Sequence, residues 1–269
     1  MGGEQISSHS AFVRTTQIAT SKTTWSVFRP VNCAENGPAP RLQHKGLNAC
    51  APGTSEAIRR ESAVALPKGT CMKWYDLLRS DKYEDVPHYA STSSDLDGFK
   101  WWHFAECKLI QDWRAKAWIK SISEAEDGPP DDGLANDDGL LIFSPRMRRA
   151  LDAGGIVGIQ YLSIRVLRSD NSVYEGYAIA NILNCLAALD RDRSDYSVFA
   201  EDDSEPEDIG RISSLRKAVL KQEALRGCHI ARLSDFPEAV YVSQHFVDIF
   251  KENALTGYSF SPVELVYLG

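Results

Sequence analysis

Two stretches of the chain align without a gap at a constant offset of 99 positions. The first covers 141–166, LIFSPRMRRALDAGGIVGIQYLSIRV, and the second 240–265, VYVSQHFVDIFKENALTGYSFSPVEL. Ser144 falls on Ser243, Ala150 on Ile249, Gly158 on Gly257 and Tyr161 on Phe260. Two copies are too few for a solenoid, which buries its core by stacking many repeats. They read instead as two related halves of one domain.

Each stretch has the same local logic. A short apolar strand, Leu141–Phe143 or Val240–Val242, runs into a serine whose oxygen can cap the free N–H groups of a helix. Pro145 stands at the first helical position of the first copy, where its missing N–H is harmless. Apolar residues then recur at helical spacing: Met147, Ala150 and Leu151 in one, Phe246, Ile249 and Phe250 in the other. Gly154–Gly155 ends the first helix and Asn253 the second. An alternating strand follows, Ile159 and Tyr161 then Ile164 and Val166, matched by Tyr258 and Phe260 then Val263 and Leu265. In both copies the alternation slips phase once.

Elsewhere the elements mix irregularly. Trp74–Tyr75 predicts a first strand, Phe99–Phe104 another, and Leu109–Ile119 a strand or short helix. Ser163–Leu167 and Val173–Ile182 alternate as strands, Ile182–Leu189 continues as strand or helix, and His229–Leu233 is a short strand. The spacing of Ile212, Leu215, Val219, Leu220 and Leu225 predicts an amphipathic helix over 212–225. This order predicts an α+β fold with mixed and antiparallel sheets, carrying a duplicated strand–helix–strand unit at 141–166 and 240–265, rather than a doubly wound parallel sheet.

Charge divides the 269 residues unevenly. Residues 1–71 hold eight Lys/Arg and four Asp/Glu, are rich in Ser, Thr, Pro and Gly, and show little periodicity. They are expected to be a basic, low-periodicity extension, disordered or not native, with Met72 as the native start or a domain boundary, and 72–269 the α+β domain. The net charge of the whole chain is −7, which argues against nucleic acid as a partner. No apolar run is long enough to span a bilayer and no signal region is present, so a cytoplasmic location is expected.

Motifs that carry chemistry are scarce in this chain. There is no G-x-S-x-G elbow and no P-loop. Gly154–Gly158 is glycine-rich but follows a helix, whereas a dinucleotide fingerprint opens one. His103 and Cys107 have the spacing of two metal ligands on a helix, but lie in KWWHFAEC, which reads as strand. No metal and no cofactor is expected. None of the six cysteines forms a C-x-x-C pair. Glu84/Asp85 and Asp190/Asp192 are carboxylate pairs with nothing to place them in a cleft, and His88, His229 and His245 are isolated. Five of the six tryptophans lie in 72–120, as core or as an exposed aromatic patch for a partner. Two acidic runs remain: 124–138, with seven acids and no base, and 201–208. Neither has the spacing of a calcium loop. Both can be solvated loops or a surface that steers a basic protein partner.

The pattern Ile230–Leu233, Val242–Ser243, Leu255-Thr256-Gly257 and Phe260-Ser261-Pro262-Val263 resembles the end of the myxobacterial-type immunity proteins of bacterial polymorphic toxin systems, immunity protein family eleven. The stretch YAIANILNCLAALDRDRS is similar to that family's strand-rich centre, with Asn181, Asp190 and Ser194 at matching places. The resemblance runs from about Met72 to the end. It departs at Cys228-His229-Ile230-Ala231, where the family more often has an aromatic before the Arg-Leu pair, here Arg232-Leu233. It implies that Ser144, Gly158, Asp190, Ser194, Arg232, Ser243, Gly257, Phe260 and Pro262 are structural motif residues. It further implies a protein that binds and neutralises a cognate toxin or effector encoded by the adjacent gene, without catalytic residues. The toxin-binding residues expected are Asp131, Asp132, Asp137, Asp138, Glu201, Asp202, Asp203 and Glu205. The rival readings are an enzyme with an unrecognised carboxylate or His site, and an adaptor of a secretion apparatus docking through 72–120.

Overall fold

The computed structural model describes residues 72–79, 89–90, 96–114, 116–121, 130–200, 206 and 208–267. The segment 1–71 and the expected boundary at Met72 lie outside the described residues, as do Glu84, Asp85, His88, Glu201, Asp202, Asp203 and Glu205.

The described chain runs β1 (Trp74–Arg79), β2 (Tyr89–Ala90), β3 (Trp118–Ser121), β4 (Ile142–Phe143), α1 (Pro145–Ala153), β5 (Ile159–Ser163), β6 (Arg165–Leu167), β7 (Val173–Tyr174) and β8 (Ala178–Ile182). It continues β9 (Cys185–Leu186), β10 (Asp195–Val198), β11 (Ile212–Lys217), β12 (Val219–Lys221), β13 (Ile230–Leu233), β14 (Val240–Ser243), α2 (Gln244–Glu252) and β15 (Tyr258–Val266). The fold is α+β. A six-stranded sheet has the order β12-β15-β1-β14-β13-β9, a four-stranded one β2-β3-β6-β7, a three-stranded one β4-β8-β5, and β10 pairs with β11. β12 with β15, β9 with β13 and β3 with β6 are parallel; the remaining pairs are antiparallel.

Both helices begin as their sequences dictate. The Ser144 hydroxyl accepts from Met147 N at 3.0 Å and Ser243 from Phe246 N at 3.3 Å, each satisfying a donor that the first turn leaves open. The helices are nine residues long and their bounds keep the offset of the sequence alignment. Their surroundings differ. β4 and β5 each pair with β8, whereas β14 pairs with β1 and β13, and β15 with β1 and β12. α1 and α2 pack so closely that a Cβ on Gly154 would lie 2.1 Å from Ile249 Cδ1. Their buried faces, Met147 and Leu151 against Phe246, Ile249 and Phe250, share one core with Leu77, Phe143, Ile182 and Val242. Each such side chain removed from water is worth about 1.5–3 kcal/mol.

Period-two alternation distributes the strands between three cores. On β1, Leu77 joins the helical core while Trp74 enters a core on the other sheet face, with Leu189, Leu220, Leu233 and Tyr241. On β4, Phe143 joins the helical core and Ile142 a third, with Ile119, Leu162, Val166 and Ile179. All five residues of β8 are buried because both its faces are covered. The phase slip in each alternating strand has the same cause. Tyr161 and Phe260 face the helical core, but Ile164 and Val166 turn to the third core, and Val263 and Leu265 to the second.

Three expectations are corrected. Residues 212–225 form no α-helix: they are β11, β12 and a 3₁₀ turn at Gln222–Leu225. β10 and β15 offer ladder hydrogen bonds to this stretch, and tertiary pairing overrides its helical spacing. Phe99–Phe104 is no strand. Trp101–Phe104 is a 3₁₀ turn in which the Lys100 amide donates to His103 Nδ1 at 2.7 Å, with Phe104 buried in the third core. The stretch 109–119 is irregular until β3 begins at Trp118.

Candidate functional site

The acidic run after Pro130 is a shaped loop. Asn136 is fully buried and closes it: its amide donates to Leu134 O at 3.1 Å and Leu140 O at 2.8 Å, and its carbonyl accepts from Leu140 N at 2.9 Å. Asp131 is half-buried, with its backbone carbonyl accepting from Tyr177 Oη at 2.9 Å. Asp137 is exposed and Asp138 half-buried.

Asp132 is different, being only 5% exposed. Its carboxylate accepts from Ser144 Oγ at 2.5 Å, from Arg146 Nε at 3.1 Å and Nη2, and from Thr256 N at 3.1 Å. Burial pushes its pKa up, but the hydrogen bonds from Arg146, Ser144 and Thr256 outweigh that and hold it below the ordinary carboxylate value. Arg146 also donates to Ala254 O at 2.9 Å, so one carboxylate ties the start of α1 to the turn after α2. Its oxygens are committed inside the protein, and Asp132 is withdrawn from the expected contact surface.

The motif residues fall into structural places. Gly257 has φ +98, and a Cβ there would lie 2.1 Å from Gly133 O, so only glycine fits. Gly158 has φ +86 and lies against the Asn184 amide. Phe260 packs edge-on to Phe250 at 5.0 Å. Pro262 pairs with Tyr75, and β12 covers β15 only from Glu264 to Val266, so the proline sits where the strand is still a sheet edge. Asp190 and Ser194 close a turn through Ser194 Oγ to Asp190 O at 2.6 Å. Arg232 is buried and donates from Nη1 to the carbonyls of Pro237 and Glu238.

The rival chemistry finds little geometry. His229 Nδ1 lies 2.9 Å from Ser243 Oγ, and its ring meets that of His245 at 4.9 Å. Burial, then the neighbouring His245, lowers the His229 pKa. Ser243 is itself buried and its oxygen caps α2, so the contact is structural. His103 Nδ1 is taken by Lys100 N, and Cys107 has φ +56. Among the described residues no group of three or more His, Cys, Asp or Glu could hold a metal ion. Likewise, no helix among them is long and apolar enough to cross a membrane. Of the tryptophans, Trp74 is core, Trp102, Trp113 and Trp118 are half-buried, and Trp101 is 38% exposed, with Leu109 nearby in sequence at 63%.

Sequence reasoning missed Asp76. It lies on β1, with β14 and β15 pairing on either side, opposite Tyr241 and Ser261. A cavity of about 330 Å³ opens at this end of the sheet, lined by Asp76 and Tyr241 together with Leu78, Leu215, Phe236 and Ala239. The signal was one acid inside the apolar run Trp74-Tyr75-Asp76-Leu77-Leu78.

The model of an immunity protein family, Imm11, matches residues 93–264, well over half of the chain. No protein with a curated description matches it.

Proposed function

Because the chain belongs to the immunity protein family Imm11, we propose that it binds a cognate toxin and neutralises it by covering the active site or the path to it. In this reading the toxin is encoded by the adjacent gene of a polymorphic toxin system, delivered for example by type VI secretion, and is met in the cytoplasm. The inhibition is by contact, with no catalytic residue. Family membership carries the reading, and two features support it. The chain has a net charge of −7, and the loop carrying Asp131, Asp137 and Asp138 adds local negative charge. Toxins that act on nucleic acids or nucleotides need basic surfaces, and an acidic face raises the rate of encounter with such a partner. Glu201, Asp202, Asp203 and Glu205 belong to the same proposal.

The test is co-expression of the full chain with the protein encoded beside it. A stoichiometric complex together with rescue from toxicity supports the reading. A lone protein beside an unrestrained toxin overturns it. A second reading, an adaptor docking through its aromatic stretch, draws on the exposure of Trp101 and Leu109. A stable complex with a non-toxic partner, lost on Trp101→Ala, favours that one.

A further inference from the structure

A carboxylate on an inner strand of a sheet needs a reason. Taking an ionised carboxylate out of water is expensive unless a counter-charge or hydrogen bonds replace the solvent. Among the described residues Asp76 has neither an ion pair nor a hydrogen bond from a side chain. Burial alone pushes its pKa up to about 6. Tyr241 faces it from β14, and the Tyr241 phenol is held above its ordinary value by burial and then by the Asp76 charge. Ser261 faces it from β15 and does not titrate. The other charged groups at the cavity do not neutralise it. Arg79 is three residues along β1, on the opposite face by strand alternation. Arg232 is engaged by the carbonyls of Pro237 and Glu238, and Glu238 is itself acidic. Arg79, Arg232 and Glu238 share the lining, but among the described residues Asp76 has no partner of its own there, with a tyrosine beside it and apolar side chains from Leu215, Phe236 and Ala239.

We propose that this cavity receives one lysine or arginine side chain from the protein partner, with Asp76 as its counter-ion. The inference rests on the immunity reading for the identity of the partner, and on the cavity itself for the chemistry. Lysine and arginine combine a long apolar stem with a cationic tip, which matches apolar walls leading to a carboxylate. A volume of about 330 Å³ is at the lower end for ligand sites, which suits a single side chain better than a cofactor. One carboxylate is too few oxygens for calcium or magnesium.

Two measurements test it separately from the immunity reading. In the full chain carrying labelled aspartate, the Asp76 carboxyl is titrated by NMR with and without butylguanidinium or butylammonium. The expected result is a fall in its apparent pKa of about one unit or more, as for any carboxylate gaining a cation, beyond the effect of sodium chloride at equal ionic strength. In the complex with the neighbouring protein, Asp76→Asn should weaken binding on the order of 100-fold, mainly through faster dissociation. Tyr241→Phe, which leaves the carboxylate in place, should bind within a few-fold of the parent. Unchanged affinity for Asp76→Asn in a complex that does form overturns the cation site and leaves the immunity reading standing. If no complex forms but the probe still shifts Asp76, the cation site holds and the immunity reading falls. No shift with either probe overturns the proposal.

Discussion

Replacing Asp76 with asparagine should make the protein more stable, although it removes a charged residue from the middle of the largest sheet. The folded chain raises the Asp76 pKa from 3.8 to about 6, with burial as the cause. At 1.36 kcal/mol per unit this corresponds to about 3 kcal/mol between the ionised and neutral forms. The sign follows from proton linkage. Well below pH 3.8 the carboxyl is neutral in both states and costs nothing. Between pH 4 and pH 6 the folded state holds the proton that the unfolded chain has released, so stability falls as pH rises. Above pH 6 the penalty is complete. Asparagine has the shape of the neutral acid and escapes it. At pH 7.5 the variant should gain about 3 kcal/mol, or roughly 6–12 °C in melting temperature for a domain of this size. At pH 4 the gain should largely vanish. Urea and thermal melts of both proteins at the two pH values measure this directly. A variant that is destabilised at pH 7.5, or whose gain is the same at both pH values, would refute the claim that burial of an unpaired carboxylate governs this position. A stabilising substitution that weakens binding is the expected signature of a residue kept for function rather than folding.

Other positions should respond in the opposite sense. Asp132→Ala leaves Arg146 and the Thr256 amide without their partner and should cost about 2–4 kcal/mol at pH 7, with the half-exposed Arg146 moderating the loss. Because the Asp132 pKa is lowered on folding, its contribution is present above the unfolded carboxylate value and disappears as pH falls through the folded one, so parent and variant should converge in acid melts. Gly257→Ala combines a left-handed backbone with a clash on the Gly133 carbonyl and should cost more than about 2 kcal/mol by urea denaturation; a loss under half of that would mean the two turns separate easily. Charge reversal of Asp131, Asp137 and Asp138 to lysine should slow association with the toxin at low salt by roughly tenfold or more while leaving dissociation nearly unchanged, and the difference should shrink as salt screens it. Stopped-flow association rates that do not respond would remove the steering role from this loop.

The local chemistry is legible in the amino-acid sequence. Ser144 and Ser243 mark helix starts because a short hydroxyl at that place can accept from the open N–H groups of the first turn, and the helix bounds follow within a residue. The alternation of β5 and β15 marks strands because period two matches the pleat of a strand. The acid-rich composition is equally plain. What the linear pattern does not contain is the choice of neighbour. Residues 212–225 have helical spacing and become strands because β10 and β15 lie alongside. Asp132 and Asp137 are both acids of one loop, yet one is buried under Ser144 and Arg146 while the other meets solvent. In the sequence Asp76 is an interruption in an apolar strand; β14 and β15, closing on either side, make it a half-buried charge. Short-range signals report the backbone state of a residue, because capping and periodicity act over a few positions. Burial and charge pairing depend on segments far away in the chain, as when Trp74 lies opposite Val263, and only the assembled sheets bring those segments within reach of a side chain.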